Sequence, residues 1–197
     1  PIYGGNNFDS ERCWMGSKGQ NTAYVELVPG HLVIPTTSNN YHYVQTTVTG
    51  QNGESNPLSF VPTQNDFLEV RFRTEGVKEK YVPTEPTELS EPRLQMKLGT
   101  DRTQTPTSKN VGGEAYYVEL DYDALASGDY ITARVPLGDW EEYTSAKTIY
   151  TFRFYVNGIL FNTDGKLIID YIYMGPGDTE DYPVYGYDTT YGDDEKL

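Results

Sequence analysis

A chain of 197 residues can bury one sizeable core, and 37% hydrophobic with 14% aromatic content is more than a disordered chain carries. Fifteen Lys and Arg against 29 Asp and Glu leave a formal charge of -14, which repels phosphate backbones and anionic bilayers and argues against nucleic acid as a partner. No run approaches the ~20 apolar residues that insert across a membrane, and a single cysteine, Cys13, excludes a disulfide framework or a multi-cysteine zinc site.

In chain order, Gly4-Gly5 reads as a turn, and "AYVEL" and "HLVI" read as the first short strands. "YVQTTVTG" sets Val44 and Val48 against Tyr43, Gln45 and Thr47, and "FLEVRFR" sets Leu68, Val70 and Phe72 against Glu69, Arg71 and Arg73. This alternation is the pattern of half-buried strands. It returns in "RLQMKLGT" (Leu94, Met96 and Leu98 against Gln95 and Lys97), "YYVELDY" (Val118 and Leu120 against Glu119 and Asp121), "YITARVPL" and "YTFRFYV". "KLIIDYIYM" closes the series with Asp170 set in an otherwise apolar run. Roughly nine strands separated by Gly, Pro, Asn and Asp clusters, without βαβ alternation, predict an all-β antiparallel β-sandwich.

Two stretches interrupt the pattern. Residues 78–92 hold three prolines and no apolar period, and 100–114 are similarly polar, so both read as long surface loops. "DYDALAS" is the one segment that reads as a helical turn, capped by Asp121 or Asp123. Past Met174 the chain turns acidic and rich in Tyr and Gly. Residues 1–176 are therefore expected to form the sandwich domain, and 177–197 a linker or the start of a following module.

His31 and His42 have no histidine partner at metal or catalytic spacing, and no nucleophile elbow, phosphate loop or dinucleotide fingerprint occurs. Carboxylates are abundant, but so acidic a chain offers pairs by chance. Glu141 and Glu142 suit a solvated face, and Glu119 and Asp121 suit salt bridges opposite Arg71, Arg73 or Arg153. The 18 tyrosines and two tryptophans exceed what the core needs. Alternation puts Tyr43, Gln45, Arg71, Arg73, Glu119, Arg153 and Tyr155 opposite the core. There, aromatic rings could stack on a pyranose while planar polar groups bond its hydroxyls; a solvated face laced by charge pairs is the alternative.

Several motifs, taken in order, resemble the galactose-binding-domain-like jelly-roll carbohydrate-binding modules of secreted and cell-surface bacterial proteins. "NNFDSERCW" (Phe8, Asp9, Glu11, Trp14) is similar to their opening, and "NPLSFVPTQNDFLEVRFRTEG" to their strand, loop and Arg-bearing strand. "PRLQMKLGTD" looks like the strand that follows, and "YITARVPLGDWEEYTSAKTIYTFRFYV" like a strand, a loop tryptophan (Trp140) and a strand ending in Phe152 and Arg153. "GKLIIDYIYMGP" matches their final strand, Gly-x-x-x-Ile-Asp-Tyr-Ile-x-x-Gly. The resemblance covers about residues 7–176. The two long polar loops and the lack of a matching Asp-Pro-x-Ile loop depart from it.

The resemblance implies a galactose-binding-like jelly roll that binds carbohydrate without catalysis, with Tyr43, Arg71, Arg73, Glu119, Trp140, Arg153 and Tyr155 as the sugar-binding set. It also implies a structural calcium where the first and last strands meet, held by Asp170 with Asp9 or Glu11. The alternative for Asp170 is hydrogen bonding to loop N–H groups or pairing with an arginine. The chain is read as a monomeric, soluble piece of an extracellular or cell-surface protein, with neighbouring modules of the parent chain as its other partners. Two rivals are a spacer or protein-interaction domain without a glycan site, and a jelly-roll glycosidase or lyase using Glu119 or Asp121.

Overall fold

The computed structural model describes residues 4–6, 14–18, 21–23, 26–28, 30–35, 42–46, 61–80, 92–99, 116–147, 149 and 151–177. Asp9, Glu11, Cys13, Gly112-Gly113 and the segment 178–197 lie outside them, as do residues 81–91 of the first polar loop and all of the second. The chain is an all-β antiparallel sandwich.

One sheet is built from β1 (Gly4–Asn6), β4 (Glu26–Val28), β5 (His31–Pro35), β7 (Asp66–Lys80), β10 (Ile131–Pro136) and β12 (Ile159–Pro176). Its order is β10-β7-β12-β5-β4, with β1 also paired to β12. The other holds β2 (Trp14–Lys18), β3 (Asn21–Ala23), β6 (His42–Thr46), β8 (Arg93–Gly99), β9 (Tyr116–Glu119) and β11 (Thr151–Asn157), in the order β3-β2-β6-β11-β8-β9. From β5 onward the chain changes sheet at nearly every connection. The crossing from β11 to β12 takes one residue, Gly158, whose φ of 86° is open to glycine and strained for most others.

The alternating apolar residues meet between the sheets. Leu32, Ile34, Leu68, Val70 and Phe72 from the first sheet pack with Val44, Leu94, Met96, Leu98, Phe152, Phe154 and Val156 from the second in one cluster. Each such side chain contributes about 1.5–3 kcal/mol by leaving water. Apart from Leu32 and Ile34, these are the inward positions that period-two reading assigned to the strands.

Four readings need correction. Gly4-Gly5 is strand, not turn, and pairs with Tyr173 and Met174. β7 runs on to Lys80, so the polar stretch from Lys78 begins as strand. Besides the expected helix α1 (Tyr122–Ser127) there is a second, α2 (Glu141–Ser145), which follows a 3-10 turn at Leu137–Asp139. In α1 the cap is Asp121, whose carboxylate accepts from the Asp123 N–H at 2.9 Å. The carboxylate expected to pair with an arginine thus supplies an acceptor to a first-turn N–H that has none within the helix.

The anomaly in "KLIIDYIYM" resolves into a register slip. Ile169 faces Phe72 and Tyr171 faces Arg71, so Asp170 is an extra residue on β12, a β-bulge. The slip changes which positions face inward: Leu167 and Ile169 are core before it, Ile172 and Met174 after it. Tyr171 and Tyr173 are thereby turned to the opposite face, where they cluster with Phe67.

Candidate functional site

The structure divides the expected sugar-binding residues among three places. Arg71 and Arg73 belong to the outer face of the first sheet. Tyr43, Glu119, Arg153 and Tyr155 sit on strands of the second sheet. Trp140 lies in the core.

Trp140 is only 3% exposed, stacked on Tyr116 at 5.5 Å and edge-on to Phe152 at 6.4 Å. The short 3-10 turn and α2 draw it inward, so it is a packing residue and offers no surface to a ligand. The beginning of α2 is also where Glu141 and Glu142 fall, matching the electropositive end of a helix.

On the first sheet's outer face the charges answer one another. Arg71 Nη1 donates to Asp170 Oδ2 over 2.8 Å, and its guanidinium stacks on the Tyr130 ring at 4.0 Å. Tyr130 and His31 Nε2 are hydrogen-bonded at 2.9 Å, and His31 Nε2 lies 4.0 Å from Asp170 Oδ1. Arg73 donates to Glu75 at 2.7 Å; burial alone would lower its pKa, but Glu75 and Tyr130 outweigh that and hold it above its ordinary value. Buried Glu69 accepts from the Tyr171 hydroxyl at 2.9 Å, and Arg134 stands 3.9 Å from its other oxygen. On this face the described arginines are drawn into ion pairs and aromatic contacts.

The same geometry bears on calcium. Calcium needs six to eight oxygen ligands with few cations nearby. Around Asp170 the described neighbours include a guanidinium at 2.8 Å, and no group of three or more His, Cys, Asp or Glu among the described residues could hold a metal ion. Arg71 gives Asp170 the arginine pairing that was the alternative to calcium. Asp9, the other expected ligand, lies outside the described residues.

The outer face of the second sheet is different. Register aligns its residues into three cross-strand rungs. One is Glu119, Arg93 and Asn157; the next is Tyr117, Gln95, Tyr155 and Tyr43; the third is Lys97, Arg153 and the Gln45 position. Asn157 Nδ2 donates to Gln95 Oε1 at 3.2 Å, so two amides meet between the rungs. Arg93 lies over the Tyr117 ring at 3.9 Å.

Among the described residues Tyr117 is the exposed aromatic, at 45%. Tyr43 and Tyr155, expected as stacking platforms, are 8% and 6% exposed. They meet edge to face at 5.4 Å, Arg153 lies over Tyr43 at 4.1 Å and donates to the Tyr155 hydroxyl at 3.0 Å, and Lys97 approaches the Tyr155 ring at 5.2 Å. They form the floor of the face and Tyr117 its accessible ring. Glu119 lies opposite Arg93 in register, not opposite Arg71, Arg73 or Arg153.

Arg93, Gln95, Tyr117 and Asn157 were missed as site residues, although the alternation in "RLQMKLGT" and "YYVELDY" already set Gln95 and Lys97 outward and Glu119 with them. What the alternation cannot say is which outward faces belong to the same sheet. Three tyrosines are buried instead: Tyr143 in the core, and Tyr171 and Tyr173 beneath the first sheet's outer face, with their hydroxyls bonded to Asp66, Glu69 and the Pro176 carbonyl.

No protein-family model matches the chain, and no curated protein matches it in sequence. Among solved structures, the glycoside hydrolase domain of Endo-D from Streptococcus pneumoniae R6 is a distant neighbour, at 13% identity and a TM-score of 0.43. That match covers 87% of this chain but only 21% of the neighbour, and it assigns no residue a role. Among the described residues no helix is long and apolar enough to cross a membrane.

Proposed function

We propose that this chain is a non-catalytic carbohydrate-binding module of a secreted or cell-surface bacterial protein, and that it binds through the outer face of the second sheet. The observation that carries the reading is Tyr117, an exposed ring on a strand, with Arg93 against it and the Gln95–Asn157 amide pair beside it. A pyranose presents an apolar C–H face that stacks on such a ring and hydroxyls that both donate and accept. Amides answer both functions, and guanidinium groups donate to ring and hydroxyl oxygens. Rigid strands hold these groups in fixed register, which limits the ordering cost of binding. One shallow face gives weak affinity, raised when neighbouring modules of the parent chain engage the same polymer.

Asp121's use as a helix cap weighs against its pairing with Glu119 in a glycosidase. The spacer reading draws on the Arg153–Tyr43–Tyr155 group, which satisfies itself without a ligand. A glycan array of plant, host and bacterial-wall saccharides separates the readings. Binding that is lost in Tyr117→Ala and kept in Trp140→Phe is expected; silence across the array would leave the spacer, and product release from any polysaccharide would make the chain an enzyme.

A further inference from the structure

Cations are scarce in this chain, 15 against 29 acidic residues, yet three gather on the second sheet's outer face. Arg93 and Lys97 lie on β8, and Arg153 lies beside Lys97 on β11 as its register partner. Like charges placed directly opposite across a ladder are destabilising. Glu119 is the one carboxylate among the described side chains of this face, and it stands at the far rung, beside Arg93. Neither Arg93 nor Lys97 has an ion pair among the described residues, in contrast to Arg71 and Arg73 on the other sheet. The Arg93 Nε–H is buried without a hydrogen-bond acceptor. Desolvation lowers the Arg93 pKa below its ordinary value, against the opposing influence of Tyr117 and Glu119.

We infer that the ligand of this face is a polyanionic glycan, with a carboxylate or sulfate on its repeating unit. The inference rests on the carbohydrate-binding reading above and specifies its substrate class. An anion over β8 would give Lys97 a counter-charge, and one beside Tyr117 would pair with the outer nitrogens of the Arg93 guanidinium. The spacing favours a glycan over a nucleic acid. Arg93 and Lys97 are four residues apart on one strand, about 13 Å at ~3.3 Å per residue, whereas duplex DNA carries a charge every ~1.7 Å of its axis. A chain of net charge -14 repels so dense a polyanion, while a glycan charged once per sugar or per disaccharide can meet the cationic rungs singly.

Affinity electrophoresis tests this with four probes: polygalacturonate, the same polymer after carboxyl reduction, a sulfated galactan, and single-stranded DNA. Retardation by polygalacturonate or by the galactan is expected, and the arm that responds distinguishes carboxylate from sulfate. Arg93→Gln with Lys97→Gln should weaken it roughly tenfold or more, the scale of a lost charge-assisted hydrogen bond. Lys78→Gln, on the other sheet, should leave it unchanged. Should the double variant melt early, Lys97→Gln alone carries the test. Equal retardation by the carboxyl-reduced polymer would overturn the inference and leave the carbohydrate reading standing. No retardation by either polyanion would overturn it too, with the array deciding the wider reading separately. Stronger retardation by DNA than by either glycan would overturn both.

Discussion

Arg71 Nη1 donates to Asp170 Oδ2 over 2.8 Å, and the carboxylate that receives it is fully buried at the point where β12 slips register against β7. The bulge aims Asp170 at the arginine, and the arginine makes a buried charge tolerable on an apolar strand. Removing one partner of such a pair costs about 3–5 kcal/mol, because the other is left charged and desolvated. Arg71→Met should therefore lower stability by about 3 kcal/mol in urea titration, and Arg71→Met with Asp170→Asn should recover part of that loss. Strictly additive single effects would mean that the two residues are not coupled.

Chelation addresses the same position from the other side. With a guanidinium as close neighbour, Asp170 has little to offer a dication, so EDTA should leave the melting temperature where it was. A fall of several degrees that added calcium reverses would place a structural ion on the protein after all, and would require ligands beyond those around Asp170.

The inside and outside of most strands were readable from alternation, because burial between two sheets imposes a period of two whatever the order of strands. β1, β2 and β3 were not, since "GGN", "WMGSK" and "NTA" have no alternating apolar positions; pairing to neighbours defines them as strands. Asp170 was visible as an oddity, but the bulge was not, because a single extra residue shows only against its partner strand. The expected binding residues failed as a set for a related reason. Tyr43 and Arg71 are both outward, but on opposite sides of the molecule, and Trp140 was drawn into the core by a 3-10 turn and α2 that carry no strong helical pattern.

Trp140 offers a sharp separation of packing from binding. Its ring fills the core against Tyr116, Tyr143 and Phe152, and its indole N–H is buried with no hydrogen-bond acceptor. Trp140→Ala should cost about 3–5 kcal/mol through the cavity it leaves. Trp140→Phe should cost far less, about 1 kcal/mol, since it removes an unsatisfied donor along with some volume. Thermal melts should show that ordering, with glycan binding by the phenylalanine variant at wild-type level. Loss of binding without loss of stability in Trp140→Phe would return the indole to the ligand site.

Two contacts pin the segment before β7 to the turn and helix that carry Trp140, and they differ in how they can be broken. Asp66, buried at the start of β7, accepts from the N–H of exposed Thr63 at 2.8 Å and from the hydroxyl of buried Tyr143 at 2.7 Å. Tyr143→Phe keeps the ring and deletes one donor, so it should cost about 1–3 kcal/mol. Gly138 is less forgiving: a Cβ there would come within 2.0 Å of the Gln64 carbonyl oxygen, a backbone atom that cannot rotate away. Gly138→Ala must push the 3-10 turn off the 61–66 segment, moving Tyr143 from Asp66 as it does. It should therefore destabilise more than Tyr143→Phe, and adding the second substitution to the first should change little further. Full additivity in denaturant melts would show that the turn and the Asp66 corner yield independently.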